Sequence, residues 1–458
     1  MGLSGGPNGA KAVFLDKFAG AFKNVKRLDD VRTLVGVSRA QTLAVMDGNV
    51  MMNAIPKEVD TFQGYVRILS YQINEAIQAA AHVVVVFDEP NAITPAKADE
   101  QSHRDQLRRA KVPLCSEDLV ATLFDDDYHT NDLLADGCNT KLLMGFRKAR
   151  PRFFDAVCTE LLRKFRAEVT GDGAWSLTFD GVDRRGADRG IGVAREAGVL
   201  STDDAFWQPL LARTDPIGEG DLKLTDVTQR VHDASRVEDT PVHGVMLNLV
   251  STIDTDSFVI ELLQQNRRER RAEEADRDEL TVLCLKERAR KRKDGDDFGT
   301  EAHYTCCDMQ TFHELMLDYF YGTQHLTDGM KMQQPAALAL LAASLAFCGC
   351  DFVDVKGFRF DLALPVVRQM VRTVPEGMDA MGLFETARNG NFEAWPILKK
   401  FIQDYLTSLK TIPRMKRAKE NASAHSEQQL MRVLWTCSYW HQQELKDCAA
   451  WGFTPLCG

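Results

Sequence analysis

The chain has 458 residues, with 56 Lys and Arg against 66 Asp and Glu, which gives a formal net charge of −10. Hydrophobic residues make up 44% and charged residues 27%, which excludes a disordered or collagen-like chain. The acidic balance excludes a basic nucleic-acid coat protein, but a nucleic-acid enzyme with locally gathered positive charge stays open. At about 150 residues per domain the length predicts about three domains, or one large α/β unit with insertions.

No part of the sequence has the pattern of a membrane span or a secretion signal. The longest apolar run, 336–349, falls short of the roughly 18 uninterrupted apolar residues that a span needs. The first residues lack the basic and apolar regions of a signal peptide. The 11 cysteines are an odd number without regular spacing, which favours reduced thiols over a zinc site. We therefore expect an intracellular protein, cytoplasmic rather than nuclear, that is neither secreted nor membrane-bound.

Two short apolar runs near the N-terminus predict strands. Residues 42–46 and 82–87 are rich in β-branched side chains, and 57–80 between them has helical periodicity. A strand, a helix and a strand at this spacing form a βαβ unit, which implies a parallel sheet. Further strands are predicted at 175–179, 244–251 and 280–285, and helices at 309–322, 336–348, 361–373, 393–410 and 426–446. The predicted fold class is α/β, with a central, mostly parallel, twisted sheet flanked by helices and a helical C-terminal part.

Two stretches have the composition of insertions. Residues 181–203 are rich in Gly, Arg and Asp without periodicity, which predicts a loop. Residues 266–299 contain two runs of charge, and such runs are more often solvated helix faces or loops than binding sites. We assign both insertions to a core of residues 1–375, which is followed by a helical segment, 376–458, that packs on it.

Acidic residues follow several of the predicted strands. Asp47 and Asp88 come directly after the first two strands, and Asp254 and Asp256 follow the strand at 244–251. Each acid taken alone is better explained as a turn or helix-capping residue. In an open parallel sheet, however, ligands bind outside the carboxyl ends of the strands. Clustered carboxylates suit Mg²⁺ or Mn²⁺, and two such ions can hold the attacking and leaving oxygens of a phosphodiester displacement.

Two further acidic elements extend this set. Glu219 and Asp221 lie two residues apart, just before a predicted helix, and Asp351 follows the apolar helix 336–348. A helix dipole stabilises carboxylates at its N-terminus, and the glycines around Glu219 allow the backbone to approach a ligand closely.

These motifs resemble those of the XRN family of 5′→3′ exoribonucleases, a branch of the flap-endonuclease-like and PIN-like nuclease superfamily. Residues 216–224, Pro-Ile-Gly-Glu-Gly-Asp-Leu-Lys-Leu, are similar to the family's Pro-Gly-Glu-Gly-Glu-His-Lys-Ile. Residues 253–260 and 346–352 are similar to its Leu-Asp-Ala-Asp-Leu-Ile-Met and Ile-Gly-Asn-Asp-Phe elements, and the motif order agrees from residue 1 to about 375. The resemblance implies a divergent, minimal member of that fold with two Mg²⁺ ions, replaceable by Mn²⁺. Their implied ligands are Asp47, Asp88, Glu219, Asp221, Asp254, Asp256 and Asp351.

A segment after the second strand carries a candidate pocket for a terminal phosphate. Lys97, Gln101 and Arg104 fall on one face of a predicted helix. Cations and an amide on one face suit a phosphate monoester. The family uses a Lys-x-x-x-Gln-x-x-Arg-Arg pattern to hold the 5′-monophosphate of RNA, so the resemblance implies the same role here.

The chain departs from the family at several contact positions. Asp105 replaces the last Arg of the phosphate pattern, with Arg108 as a cation one turn later. A family His that stacks on the 5′ nucleotide corresponds to about Asn53. Trp451 is the candidate platform for base stacking, and Lys223 a candidate positive charge near the scissile phosphate.

The sequence therefore predicts a Mg²⁺-dependent 5′→3′ exoribonuclease that hydrolyses single-stranded RNA from a 5′-monophosphate end. A first alternative is an endonuclease of the same superfamily, either structure-specific on DNA or mRNA-cleaving, which needs no pocket around Lys97. A second is a nuclease fold without activity that serves as a binding or structural scaffold. Against the scaffold, none of the seven acids has become apolar or an amide.

Overall fold

The computed structural model describes sixteen parts of the 458-residue chain. They are residues 10–55, 59, 62–88, 149–168, 175–180, 198–200, 204–212, 220–253, 256–271, 279–286, 304–322, 328–348, 358–372, 394–410, 420 and 427–440. The fold of these residues is α/β, with helices on both faces of a mixed sheet. No helix in these parts is both long enough and apolar enough to cross a membrane.

The described strands form one eight-stranded sheet. In chain order they are β1 (Phe22–Val25), β2 (Thr42–Asp47), β3 (His82–Val86), β4 (Ser176–Asp180), β5 (Gly198–Leu200), β6 (Leu247–Thr252), β7 (Leu280–Lys286) and β8 (Tyr304–Asp308). Their order across the sheet is β1-β8-β7-β6-β2-β3-β4-β5. The neighbours from β7 to β4 run parallel, whereas the pairs β1–β8, β7–β8 and β4–β5 are antiparallel. The sheet is therefore parallel in its centre and antiparallel at its edges.

Helices cover the two faces of the sheet unequally. In chain order they are α1 (Ala10–Lys17), α2 (Leu28–Val35), α3 (Gly48–Asn53), α4 (Phe62–Ala79), α5 (Ala149–Glu168), α6 (Asp204–Leu211), α7 (Gly220–Ser235), α8 (Asp256–Arg271), α9 (Met309–Tyr321), α10 (Asp328–Phe347), α11 (Phe360–Val371), α12 (Ala394–Leu409) and α13 (Glu427–Trp440). Helices α2 to α5 contribute to the hydrophobic core on one face, and α1 with α6 to α13 to the core on the other.

Successive side chains of the central strands point to alternate faces of the sheet and so contribute to both cores. In β2, Leu43 and Val45 belong to the core with α7 and α8, whereas Ala44 and Met46 belong to the core with α3 and α4. Successive side chains of a strand point to opposite faces, so a strand buried on both faces is apolar throughout. Trp435 of α13 is buried in the same core as Leu43. The described helices after residue 376 therefore share a core with the sheet.

In its described parts, the structure contains the strands and helices that the sequence predicts there, and it adds three strands. The helix predicted around Lys97 lies outside the described residues. β1 and β8 pair with each other at one edge of the sheet. β5 lies in the range 181–203, so the prediction of a loop there is wrong for three residues that pair with β4. This strand is too short to produce a periodic pattern. The charged range 266–299 likewise contains the end of α8 and the whole of β7, which are elements of the main fold.

Candidate active site

The sheet has a topological switch point between β2 and β6. From β2, the chain adds β3 and then β4 on one side, and it adds β6 and then β7 on the other. The connections therefore leave β2 and β6 in opposite directions, and open α/β sheets have a crevice at such a point, outside the carboxyl ends of the strands. Ligands of open α/β sheets bind in this position. We call the region at the carboxyl ends of β2, β3 and β6 the switch-point crevice.

Asp47 and Asp88 converge in this crevice. Asp47 ends β2 on the same face as Leu43 and Val45, and it is 6% exposed. Asp88 is half-buried and follows β3. The Gly220 amide at the start of α7 donates a 2.8 Å hydrogen bond to Asp88 Oδ1. A Cβ on Gly220 would lie 3.1 Å from Asp88 Oδ1 and 3.9 Å from Asp47 Oδ1, so both carboxylates approach the same backbone position.

Local structure holds Asp47 in one orientation. Its Oδ1 accepts a 2.9 Å hydrogen bond from the Val50 amide, which caps α3. Its Oδ2 lies 3.5 Å from the Thr252 hydroxyl at the end of β6. The next residue, Gly48, packs against Phe87 so closely that an added Cβ would overlap the aromatic ring. The close approach between the ends of β2 and β3 therefore requires a glycine at position 48, directly after Asp47.

Asp221 and Asp256 lie in the first turns of α7 and α8. The Ser257 hydroxyl donates a 2.8 Å hydrogen bond to Asp221 Oδ1 and so joins the two helix N-termini. Two further side-chain hydrogen bonds follow along the same pair of helices, from Thr225 to Glu261 at 2.6 Å and from Gln264 to Gln229. We call these three contacts the interhelix ladder. It fixes α7 against α8, because much of it is buried and its polar groups bond to one another.

Lys223 and Asn53 occupy different environments. Lys223 is 1% exposed and lies one turn after Gly220, on the same face of α7. Its ammonium group is therefore inside the protein. Asn53 is exposed at the end of α3, and its Nδ2 donates a 2.7 Å hydrogen bond to the carbonyl of Asn49.

Several predicted site residues lie outside the described parts of the chain. They are Glu219, Asp254 and Asp351 among the acids, and Lys97, Gln101, Arg104, Arg108 and Trp451 among the substrate-binding residues. Within the described parts, no group of three or more His, Cys, Asp or Glu side chains is arranged to hold a metal ion. The structure therefore brings together Asp47 and Asp88, and it relates Asp221 to the start of α8 through Ser257.

The sequence-based predictions did not include two polar residues at the carboxyl ends of the parallel strands. Asp180 ends β4 directly opposite Val86 and is 7% exposed. Its carbonyl accepts a 2.7 Å hydrogen bond from the Phe87 amide. An acid directly after an apolar strand is the signal that identified Asp47, and the same signal was present for Asp180. Thr252 carried no such signal, because a threonine inside a β-branched strand is ordinary.

The donor chemistry of the switch-point crevice fits a hard divalent cation. Asp47 and Asp88 offer carboxylate oxygens, the ligand type that Mg²⁺ and Mn²⁺ prefer. The absence of a side chain at Gly220 leaves room beside both carboxylates that a Cβ would take. The fold and the crevice thus define an α/β protein with an acidic switch-point site. No protein-family model and no curated protein matches the chain.

Proposed function

We propose that the protein is a Mg²⁺-dependent nuclease that hydrolyses phosphodiester bonds in the switch-point crevice. The observation that carries this proposal is the convergence of Asp47 and Asp88 on the Gly220 backbone, at the carboxyl ends of parallel strands. Carboxylates that lie close together in a partly buried place repel one another unless a cation lies between them. A phosphodiester is a substrate that a cation bound to acids can activate, because its charge increases in the transition state.

The chain would contribute oriented carboxylates to this reaction. Bound Mg²⁺, or Mn²⁺ in its place, would neutralise charge on the scissile phosphate and lower the pKa of the attacking water. Hydrogen bonds from Val50 and Gly220 fix one oxygen each of Asp47 and Asp88. The proposed ligand set for two ions is Asp47, Asp88, Glu219, Asp221, Asp254, Asp256 and Asp351.

The finer proposal is a 5′→3′ exoribonuclease with a flap-endonuclease-like fold, acting on single-stranded RNA. It is supported by the ordered acidic motifs that resemble the XRN family, and by the parallel strands that carry Asp47 and Asp88. Lys97, Gln101 and Arg104 would bind the 5′-monophosphate, with Arg108 as a neighbouring cation. Selection of the phosphorylated end then follows from these groups rather than from base sequence.

The test is degradation of single-stranded RNA labelled at its 3′ end, carrying either a 5′-monophosphate or a 5′-hydroxyl, in Mg²⁺ or EDTA. We expect Mg²⁺-dependent loss of the monophosphate RNA alone, and no loss with the Asp254→Ala, Asp256→Ala double variant. Lys97→Ala should remove the preference for the phosphorylated end. Equal cleavage of both RNAs would indicate an endonuclease. Absence of cleavage by folded protein in Mg²⁺ and in Mn²⁺ would contradict the nuclease proposal.

A further inference from the structure

Ser257 makes a hydrogen bond that the resemblance to the XRN family does not imply. The motif at 253–260 has an apolar residue after its second acid in the family, and here that position is Ser257. Its hydroxyl donates to Asp221 Oδ1 at 2.8 Å, and the residue is 2% exposed. A buried hydroxyl therefore bonds to one of the proposed ligands, although 36 positions separate the two residues.

The Ser257 hydrogen bond differs from the other two contacts of the interhelix ladder, because it lies at the helix N-termini and involves a proposed metal ligand. The other two contacts, Thr225 with Glu261 and Gln264 with Gln229, lie one and two turns further from the helix N-termini. Only the Ser257 contact of this ladder involves an acid of the proposed ligand set. It is also the contact next to Asp256, the other described acid at these helix starts. The ladder thus ends at the proposed site.

A fixed carboxylate binds a cation better than a mobile one. Asp221 is half-buried in the first turn of α7, where its side chain can rotate about two bonds. The hydrogen bond from Ser257 occupies Oδ1 and restricts that rotation, so that Oδ2 keeps one direction. Partners of this kind, which orient a metal ligand without touching the metal, commonly change metal affinity by about 10- to 100-fold.

We propose that Ser257 is a positioning residue that orients Asp221 for binding a divalent cation in the switch-point crevice. This inference rests on the proposed function, because it takes Asp221 to be a ligand of the metal. It assigns to Ser257 no contact with substrate and no proton transfer. The hydroxyl acts through the carboxylate to which it donates.

The test is a calorimetric titration of the metal-free full chain with Mn²⁺ alone. We expect Ser257→Ala to bind Mn²⁺ about ten-fold more weakly or worse, and Ser257→Thr, which keeps the hydroxyl, to bind like the wild type. The control is Gln229→Ala, which removes a ladder contact two turns away, together with a hydrogen bond to Asp233, an acid outside the proposed ligand set. It should bind Mn²⁺ like the wild type. Circular dichroism and the thermal midpoint of each variant test whether it is folded.

A second readout separates orientation from general damage. For RNA hydrolysis by Ser257→Ala, the Mg²⁺ concentration at half-maximal rate should rise about ten-fold, while the rate at saturating Mg²⁺ should stay close to that of the wild type. Equal Mn²⁺ affinity in wild type and folded Ser257→Ala would overturn the inference and leave the proposed function standing. Equal weakening by Gln229→Ala would also overturn it. A wild-type chain that neither binds Mn²⁺ nor hydrolyses RNA would overturn the proposed function itself.

Discussion

The amide of Gly220 donates a 2.8 Å hydrogen bond to Asp88 Oδ1, although 132 positions separate these residues. Gly220 begins α7, and the first amides of a helix have no acceptor within the helix. Asp88 supplies that acceptor from the end of another element, in the position where the helix dipole favours negative charge. The same acid thus stabilises the start of α7 and lies beside Asp47 in the switch-point crevice.

Replacing Gly220 by alanine tests this close approach. The added Cβ would lie 3.1 Å from Asp88 Oδ1, which forces the carboxylate to move by a few tenths of an ångström. We expect Mn²⁺ affinity to fall about ten-fold while the helix content stays unchanged. The control is Gly20→Ala, whose Cβ would meet Leu315 Cδ1 at an ordinary 3.4 Å. Unchanged Mn²⁺ affinity in Gly220→Ala would contradict a role for this space in the site.

Gly48→Ala should act on stability. The new Cβ would overlap the Phe87 ring, and inserting atoms into a packed interior typically costs about 1–3 kcal/mol. We expect the free energy of unfolding in urea to fall by that amount, whereas Gly20→Ala should stay within about 0.5 kcal/mol of the wild type. A Gly48→Ala protein as stable as the wild type would mean that the ends of β2 and β3 are not tightly packed.

His82 should make the stability of the protein depend on pH. Its ring is buried at the start of β3, its Nδ1 lies 3.0 Å from the Ser176 hydroxyl, and burial lowers its pKa from 6.5 to about 4. Because the pKa of His82 is lower in the folded state than in the unfolded state, protonation of His82 favours unfolding. The contribution of neutral His82 to the free energy of unfolding is therefore complete above pH 6.5. It is lost as the pH falls towards 4, by at most about 3 kcal/mol.

The measurement for His82 is urea unfolding of wild type and His82→Gln at intervals between pH 7.5 and 5. Glutamine can bond to Ser176 but does not titrate, so the variant should lose less stability than the wild type over this range. The difference between the two unfolding free energies should narrow as the pH falls. A pH dependence identical in both proteins would show that the His82 pKa is not lowered in the folded state.

Local patterns predicted the central elements of the fold but not their arrangement. Apolar, β-branched runs identified β2 and β3, and the acids that follow them identified Asp47 and Asp88. β5 was not predicted, because a strand of three residues is too short to show the alternation of apolar and polar residues that indicates a strand. The order of strands depends on pairing between distant segments, and so does the contact between Ser257 and Asp221. Neither the strand order nor this contact leaves a signal within a short window of sequence. Asp180 did carry such a signal, because it is an acid at the end of a predicted strand.

Two aspartates that cap helices at opposite ends of the sheet's parallel strands provide a matched pair of variants. Asp47 caps α3 at the carboxyl end of β2. Asp308 caps α9, where its carboxylate accepts hydrogen bonds from the amides of Gln310 and Thr311. It pairs with Val282 near the start of β7, so it lies at the amino ends of the parallel strands, away from the switch-point crevice. Asparagine is as good a helix cap as aspartate, so either substitution should keep its helix while removing a charge.

The most direct test is therefore the Mg²⁺-dependent rate of hydrolysis of 5′-monophosphate RNA by wild type, Asp47→Asn and Asp308→Asn side by side. If the switch-point crevice is the active site, Asp47→Asn should fall to the background rate seen in EDTA. Asp308→Asn should keep the wild-type rate. Retained hydrolysis by a folded Asp47→Asn protein, or equal loss in both variants, would contradict the assignment of catalysis to this crevice.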